Sequence, residues 1–167
     1  MSGLKAGDKF PQGVTFNYVP YSPEKDDINA CGRPISFDAS KEWAGKRVVL
    51  FAVPGAFTPT CSEAHLPGYI KNLPELKKRG VDVVAVTSYN DAFVMNAWSK
   101  ANGIKNDEIL FLEDPEAKFA KSIGWTMGPR TARFAVLVDK DGTILYAGKD
   151  EKGQLEKSTA EAVLAKL

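Results

Sequence analysis

Two stretches of the chain are apolar at nearly every position: Arg47 to Pro54 and Val81 to Thr87. Runs of that length, with β-branched residues and no alternation, predict central strands covered on both faces. Between them, Leu66, Tyr69, Ile70, Leu73 and Leu76 recur with a helical period. Pro67, and also Pro74, would kink this helix, and Gly80 would stop it. Asn90 or Asp91 is placed to cap a helix carrying Phe93, Val94, Ala97, Trp98 and Ala101 on one face, ended at Gly103. Ile109–Leu112 reads as a short strand, and Asp114-Pro115 opens a helix that closes at Gly124. Phe134–Val138 and Thr143–Ala147 flank Asp139-Lys140-Asp141-Gly142, the pattern of a β-hairpin. Ser158-Thr159-Ala160-Glu161 has the form of a capping box before Ala162, Val163 and Leu164.

The pattern before Arg47 is weaker. Thr15 to Val19 alternates and predicts an edge strand ended by Pro20. Pro23 to Asn29 is a polar loop, and Cys31 to Phe37 could form the other strand of a hairpin. Ser40 is a candidate N-cap for a short turn stopped by Gly45. The order β-β-β-α-β-α-β-α-β-β-α describes an α/β chain with a mixed central sheet flanked by helices. A thioredoxin-like fold with an N-terminal β-hairpin extension fits it, as one domain over residues 1–167.

Composition then removes function classes. A net charge of +1 gives no footprint for nucleic acid or an anionic membrane. The apolar runs reach about seven residues, against roughly 20 for a membrane span. Met1 to Asp8 has no apolar core, so no signal peptide is expected. Two cysteines without a secretion signal point to a reducing compartment and a redox role rather than a permanent staple. With a single histidine and no Cys/His cluster, no metal site is expected. Phosphate-loop, dinucleotide and serine-hydrolase motifs are missing, so no cofactor is expected either.

Candidate chemistry gathers at Cys61. The strand ending at Pro54-Gly55 runs through Ala56-Phe57-Thr58-Pro59-Thr60 into the start of a helix. Free backbone N–H groups and the helix dipole there favour a thiolate, the nucleophilic form. A buried structural cysteine is the plain alternative. The spacing of Pro54, Thr58 and Cys61 is similar to the P-x-x-x-T-x-x-C signature of the peroxiredoxins. The continuation Ser62-Glu63-Ala64-His65-Leu66-Pro67-Gly68-Tyr69 resembles their type-five branch. Similarity to the fungal members covers nearly the whole chain, including Tyr89-Asn90-Asp91 and Ser122-Ile123-Gly124-Trp125.

That resemblance implies a thiol-specific peroxidase for hydrogen peroxide and alkyl hydroperoxides. Cys61 would attack the peroxide and become a sulfenic acid. Thr58 would orient the substrate, and Pro54 would shield the thiolate. A distant arginine would stabilise thiolate and substrate. Its expected position is Arg133, directly before an apolar strand, with Arg130 the rival by distance. Cys31 would resolve the sulfenic acid as a disulfide, in or between chains, recycled by thioredoxin. A homodimer is implied, with the Phe57 loop and the Met95/Trp98 helix near its interface, although Met95 and Trp98 are most simply core.

Alternatives stay open at this level. Without a resolving role for Cys31, a one-cysteine, glutathione-dependent peroxidase is implied. A thiol–disulfide oxidoreductase would need a second cysteine where Ala64 stands. A redox relay or holdase on the same fold is the non-enzymatic reading. His65, one helical turn after Cys61, reads as structural rather than as a base. The terminal Ala165-Lys166-Leu167 resembles a peroxisomal address, so cytoplasm and peroxisome are both expected.

Overall fold

In a computed structural model, which describes residues 3–167, nine strands and five α-helices follow one another with short 3₁₀ and π segments between them. The N-terminal part holds β1 (Thr15–Tyr18), β2 (Ile35–Asp38), α1 (Ala39–Glu42) and β3 (Val48–Ala52). The middle holds α2 (Leu66–Lys78), β4 (Val83–Ser88), α3 (Ala92–Ala101), β5 (Leu110–Glu113) and α4 (Lys118–Ser122). The remainder holds β6 (Thr126–Met127), β7 (Arg130–Thr131), β8 (Phe134–Val138), β9 (Ile144–Lys149) and α5 (Ala160–Leu164).

Seven strands form one mixed sheet in the order β2-β1-β5-β4-β3-β8-β9. Strands β3, β4 and β5 are parallel, while β8 and β9 close one side antiparallel and β1 and β2 the other. All five residues of β3 are buried, as its unbroken apolar run predicts. Its side chains alternate between two cores. Val49 and Phe51, with Val53 just after the strand, pack with Leu66, Tyr69, Leu76, Met95, Trp98 and Val163. Val48, Leu50 and Ala52 face Phe16, Phe37, Trp43, Phe119 and Ile123. The thioredoxin-like arrangement is therefore a helix–sheet–helix stack with the β1–β2 hairpin added at one side.

Several local expectations are corrected. β1 is not an edge strand, because β2 and β5 flank it. β2 begins at Ile35, which leaves Cys31 in the preceding loop. Ser40 does not cap α1: Asp38 accepts from the Ser40 and Lys41 N–H groups, and the Ser40 hydroxyl accepts from Gly13 N–H instead. The helix after Cys61 begins with a π turn over Cys61–His65, and Pro74 is accommodated inside α2. Asp91 rather than Asn90 caps α3, and Phe93 points to solvent at 49% exposure, off the apolar face. The segment after Asp114 breaks into a 3₁₀ turn and α4, because Glu116 and Ala117 adopt left-handed backbone. Thr159, not Ser158, is the N-cap of α5. The small β6–β7 ribbon had no sequence signal.

Candidate active site

β3 delivers the chain to Pro54 at the edge of both cores, and the loop from Pro54 to Thr60 turns it into the helix that carries Cys61. The Asn90 side chain fastens this loop: its Oδ1 accepts from Ala56 N–H at 2.8 Å and from the Ser88 hydroxyl at 2.9 Å. Phe57 holds left-handed backbone, φ 58°, a conformation a bulky residue adopts only where its surroundings impose it. The Thr58 hydroxyl donates to Gly55 C=O at 2.6 Å. Its oxygen therefore has only acceptor capacity left.

The first helical bond runs from Ser62 N–H to Thr58 C=O at 2.9 Å. Cys61 N–H lies before it, among the donors that a helix start leaves without an intrahelical acceptor. In the π turn, Leu66 N–H donates to Cys61 C=O, five residues back. Pro67, lacking an N–H and crowding the carbonyl four residues earlier, suits the wider turn in front of it. The wider turn directs Cys61 and His65 inward together, 1% and 2% exposed. Trp98 Nε1–H donates to the Ser62 hydroxyl at 3.1 Å and ties α3 to this turn.

Arg133 reaches the same point from across the sheet. Ala52 pairs with Phe134 in the antiparallel β3–β8 register, so Arg133 stands beside the end of β3, where the Pro54 loop begins. Its Nη2 donates to Cys61 Sγ at 3.2 Å, and its Nη1 donates to His65 Nδ1 at 2.9 Å. Arg130, the rival by spacing, is exposed and lies over the Tyr89 ring instead, 5.6 Å from its centroid. Pro54 is buried and shares a cleft with Arg133, Thr126, Met127 and Lys149.

The tautomer of His65 follows from its partners. Ser158 C=O can only accept, so Nε2, at 2.9 Å, carries the hydrogen. A guanidinium can only donate, so Nδ1 presents its lone pair to Arg133. The ring is neutral. Burial lowers its pKa to about 4; the Arg133 charge also lowers it, while the Ser158 carbonyl and Asp150 oppose this. Sequence reasoning set His65 aside as structural. The signal available was its four-residue offset from Cys61, but the π turn that makes this offset face the site was not legible.

Cys31 stands apart. It is exposed in the loop before β2, and both thiols are free. Met95 and Trp98 are fully buried in the core, while Phe57, 56% exposed, and Phe93 project outward. Among the described residues no helix is long and apolar enough to cross a membrane.

Comparison with known proteins adds to this geometry. A family model described as Redoxin matches residues 5–164. A protein of Emericella nidulans, provisionally named peroxiredoxin prxA, is 60% identical over 169 residues and covers all of both chains. Peroxiredoxin Pen c 3 of Penicillium citrinum is 58% identical over 98% of this chain and 99% of its own. A Lipomyces kononenkoae protein with a provisional name as a peroxisomal peroxiredoxin is 46% identical over 96% of this chain and 99% of its own. Among solved structures, reduced Prx3 of Vibrio vulnificus in complex with hydrogen peroxide has a TM-score of 0.82 and 40% identity, covering 97% and 98% of the two chains. Peroxiredoxin 5 of Alvinella pompejana has a TM-score of 0.74 and 27% identity, covering 98% and 97%.

Proposed function

The chain belongs to the redoxin family and is a peroxiredoxin, a thiol-specific peroxidase; on that premise we propose that Cys61 is its peroxidatic nucleophile and that Arg133 and Thr58 are the catalytic residues that act with it. The observation that carries the proposal is the 3.2 Å hydrogen bond from Arg133 Nη2 to Cys61 Sγ. The bond places a charged donor beside the buried sulfur, where the peroxide oxygens must also come. The thiolate attacks one peroxide oxygen and the O–O bond breaks. The second oxygen leaves as hydroxide or alkoxide and takes up a proton. Sulfur is oxidised to the sulfenic acid and the peroxide is reduced to water or an alcohol.

Negative charge builds on the departing oxygen, so donors fixed in advance accelerate the step. Cys61 N–H and the Arg133 guanidinium supply them. The Thr58 oxygen, its proton held by Gly55, accepts from the peroxide O–H and so selects which oxygen faces the sulfur. Pro54 presents no N–H and excludes water from the sulfur. Hydrogen peroxide and alkyl hydroperoxides share the O–O–H group that this arrangement reads, and the complex of the Vibrio relative with hydrogen peroxide supports that substrate class.

Cys31 is assigned as the resolving residue. Its thiol attacks the sulfenic sulfur, water leaves and a disulfide forms. Cys61 is buried and Cys31 exposed, so the first turn at Cys61 must open for the two to meet. Thioredoxin is assigned as reductant, by exchange at the exposed Cys31 side. The exposed Phe57 and Phe93 support pairing of two copies of the chain. A cytoplasmic or peroxisomal site is assigned, the latter supported by the name of the Lipomyces relative. The test is NADPH oxidation coupled through thioredoxin reductase and thioredoxin, with wild type, Cys61→Ser and Cys31→Ser. Both variants lose steady turnover, while Cys31→Ser keeps one fast turnover. Normal steady turnover of Cys31→Ser would establish the one-cysteine reading instead.

A further inference from the structure

Behind the Cys61–Arg133 contact lies a closed ring of hydrogen bonds that reaches the far end of the chain. Asp150, 4% exposed, follows β9, and its backbone N–H donates to Arg133 C=O at 2.9 Å. Its carboxylate gathers the turn before α5. Oδ1 accepts from Glu156 N–H at 3.2 Å and Lys157 N–H at 2.8 Å, and Oδ2 from Ser158 N–H at 3.0 Å and the Ser158 hydroxyl at 2.5 Å. The carbonyl of that same Ser158 accepts from His65 Nε2–H at 2.9 Å and from the Tyr69 hydroxyl at 2.8 Å. His65 returns the ring to Arg133 through Nδ1. Both the backbone and the guanidinium of Arg133 are thus referred to one residue, Asp150: the first through its N–H, the second through its carboxylate.

The placement of the turn is tight. A Cβ on Gly148 would come within 2.5 Å of Lys157 C=O and 2.4 Å of the Tyr146 hydroxyl, so β9 accepts the turn at this distance only with glycine there. Stacking completes the cage. Phe51 lies flat on Tyr69 with ring centroids 3.8 Å apart, and His65 packs against Phe51 at 5.1 Å. The imidazole therefore has one orientation, and the Ser158 carbonyl selects its tautomer.

We propose that Asp150 is a positioning residue for catalysis: by fixing the Ser158 carbonyl it sets the orientation and tautomer of His65, and His65 in turn holds the Arg133 guanidinium against Cys61. The inference rests on the assignment of Arg133 as a catalytic residue. A guanidinium with free rotamers would spend part of its time away from the sulfur. Misplacement of about 1 Å can cost up to about a hundredfold in rate.

The experiment is a double-mutant cycle on the second-order rate constant of the reduced full chain with hydrogen peroxide, by stopped flow. It uses wild type, Asp150→Asn, Arg133→Lys and the double variant, each checked for cooperative unfolding. In Asp150→Asn the new amide retains one acceptor oxygen but turns an N–H donor toward the donors of the turn. Arg133→Lys alone loses about a hundredfold. Asp150→Asn loses about tenfold in the wild-type background and less than about twofold in Arg133→Lys. A wild-type rate for Arg133→Lys would overturn the assignment of Arg133 itself. A large loss in Arg133→Lys with no loss in Asp150→Asn, or with the same loss in both backgrounds, would overturn the role of Asp150 alone. Should Asp150→Asn fail to fold, His65→Gln and His65→Leu replace it. Gln keeps one acceptor and one donor and retains most of the rate, while Leu loses about tenfold. Equal rates for the two would overturn the proposal.

Discussion

His65 is buried against Phe51 and Tyr69, faces the Arg133 cation, and has Asp150 beyond the Ser158 carbonyl. Its pKa is lowered to about 4 from the ordinary 6.5, and burial is the largest cause. Between those values the unfolded chain binds a proton that the folded chain does not, so stability falls as pH falls through this window. The loss amounts to about 3 kcal/mol by pH 4 and is present in full at neutral pH as stability. Chemical denaturation at a series of pH values measures it, and His65→Gln flattens the slope between 6.5 and 4. Asp150 acts in a different window. Burial raises its pKa, but the hydrogen bonds from Ser158, Lys157 and Glu156 outweigh this and leave it below the usual carboxylate value. Its contribution is lost only as pH falls below the ordinary aspartate range, so the two residues separate in one titration. Cys61 drew attention by its place at a helix start, and Pro54 and Thr58 through the family motif that one loop carries. Arg133, 72 residues from Cys61, was expected only through the family resemblance. Nothing in the sequence tied Asp150 or Ser158 to the site, since a polar residue does not announce a partner that only the fold brings near.

At the scale of elements, the strand run and the helix starts were legible because burial on both faces of β3 and β4 removes polar positions from the pattern. Capping was read with errors of one or two residues, and the reasons are local competition for the same side chain. Ser158 has the sequence of an N-cap, but its hydroxyl is taken by Asp150, and Thr159 caps α5 by accepting from Ala162 N–H. Asn90 was read as a possible helix cap and instead holds the loop that precedes Cys61. Asn90→Ala leaves Ala56 N–H and the Ser88 hydroxyl without this acceptor, at a cost of about 1–3 kcal/mol. The variant should react more slowly with peroxide as well, because the loop carries Thr58. Thermal unfolding and stopped flow on one preparation check both. Phe51→Ala would cost about 3–5 kcal/mol and also release His65 and Tyr69, whose rings it holds. Its defect should therefore exceed that of a remote core truncation in rate as well as in stability.

At the scale of the molecule, the sheet brings three stretches far apart in the chain to one site. β3 leads into the loop of Cys61, Arg133 stands just before β8, and the segment from β9 to α5 carries Asp150 and Ser158 behind them. Phe57 and Phe93 stand outside this arrangement, both exposed, and the assigned pairing of two chains uses them. Light scattering after size exclusion should give a dimer for wild type and a shift to monomer for Phe93→Arg; a wild-type monomer would remove the assignment. Everything proposed for the site depends on Cys61 itself taking the oxygen from the peroxide. Intact-mass and peptide mass spectrometry of Cys31→Ser, after one equivalent of hydrogen peroxide and with a dimedone trap, reads this step without any reductant. One trapped sulfenic acid is expected, on Cys61, formed as the peroxide disappears. Peroxide consumed with Cys61 unmodified, or peroxide left unconsumed by the reduced protein, would contradict it.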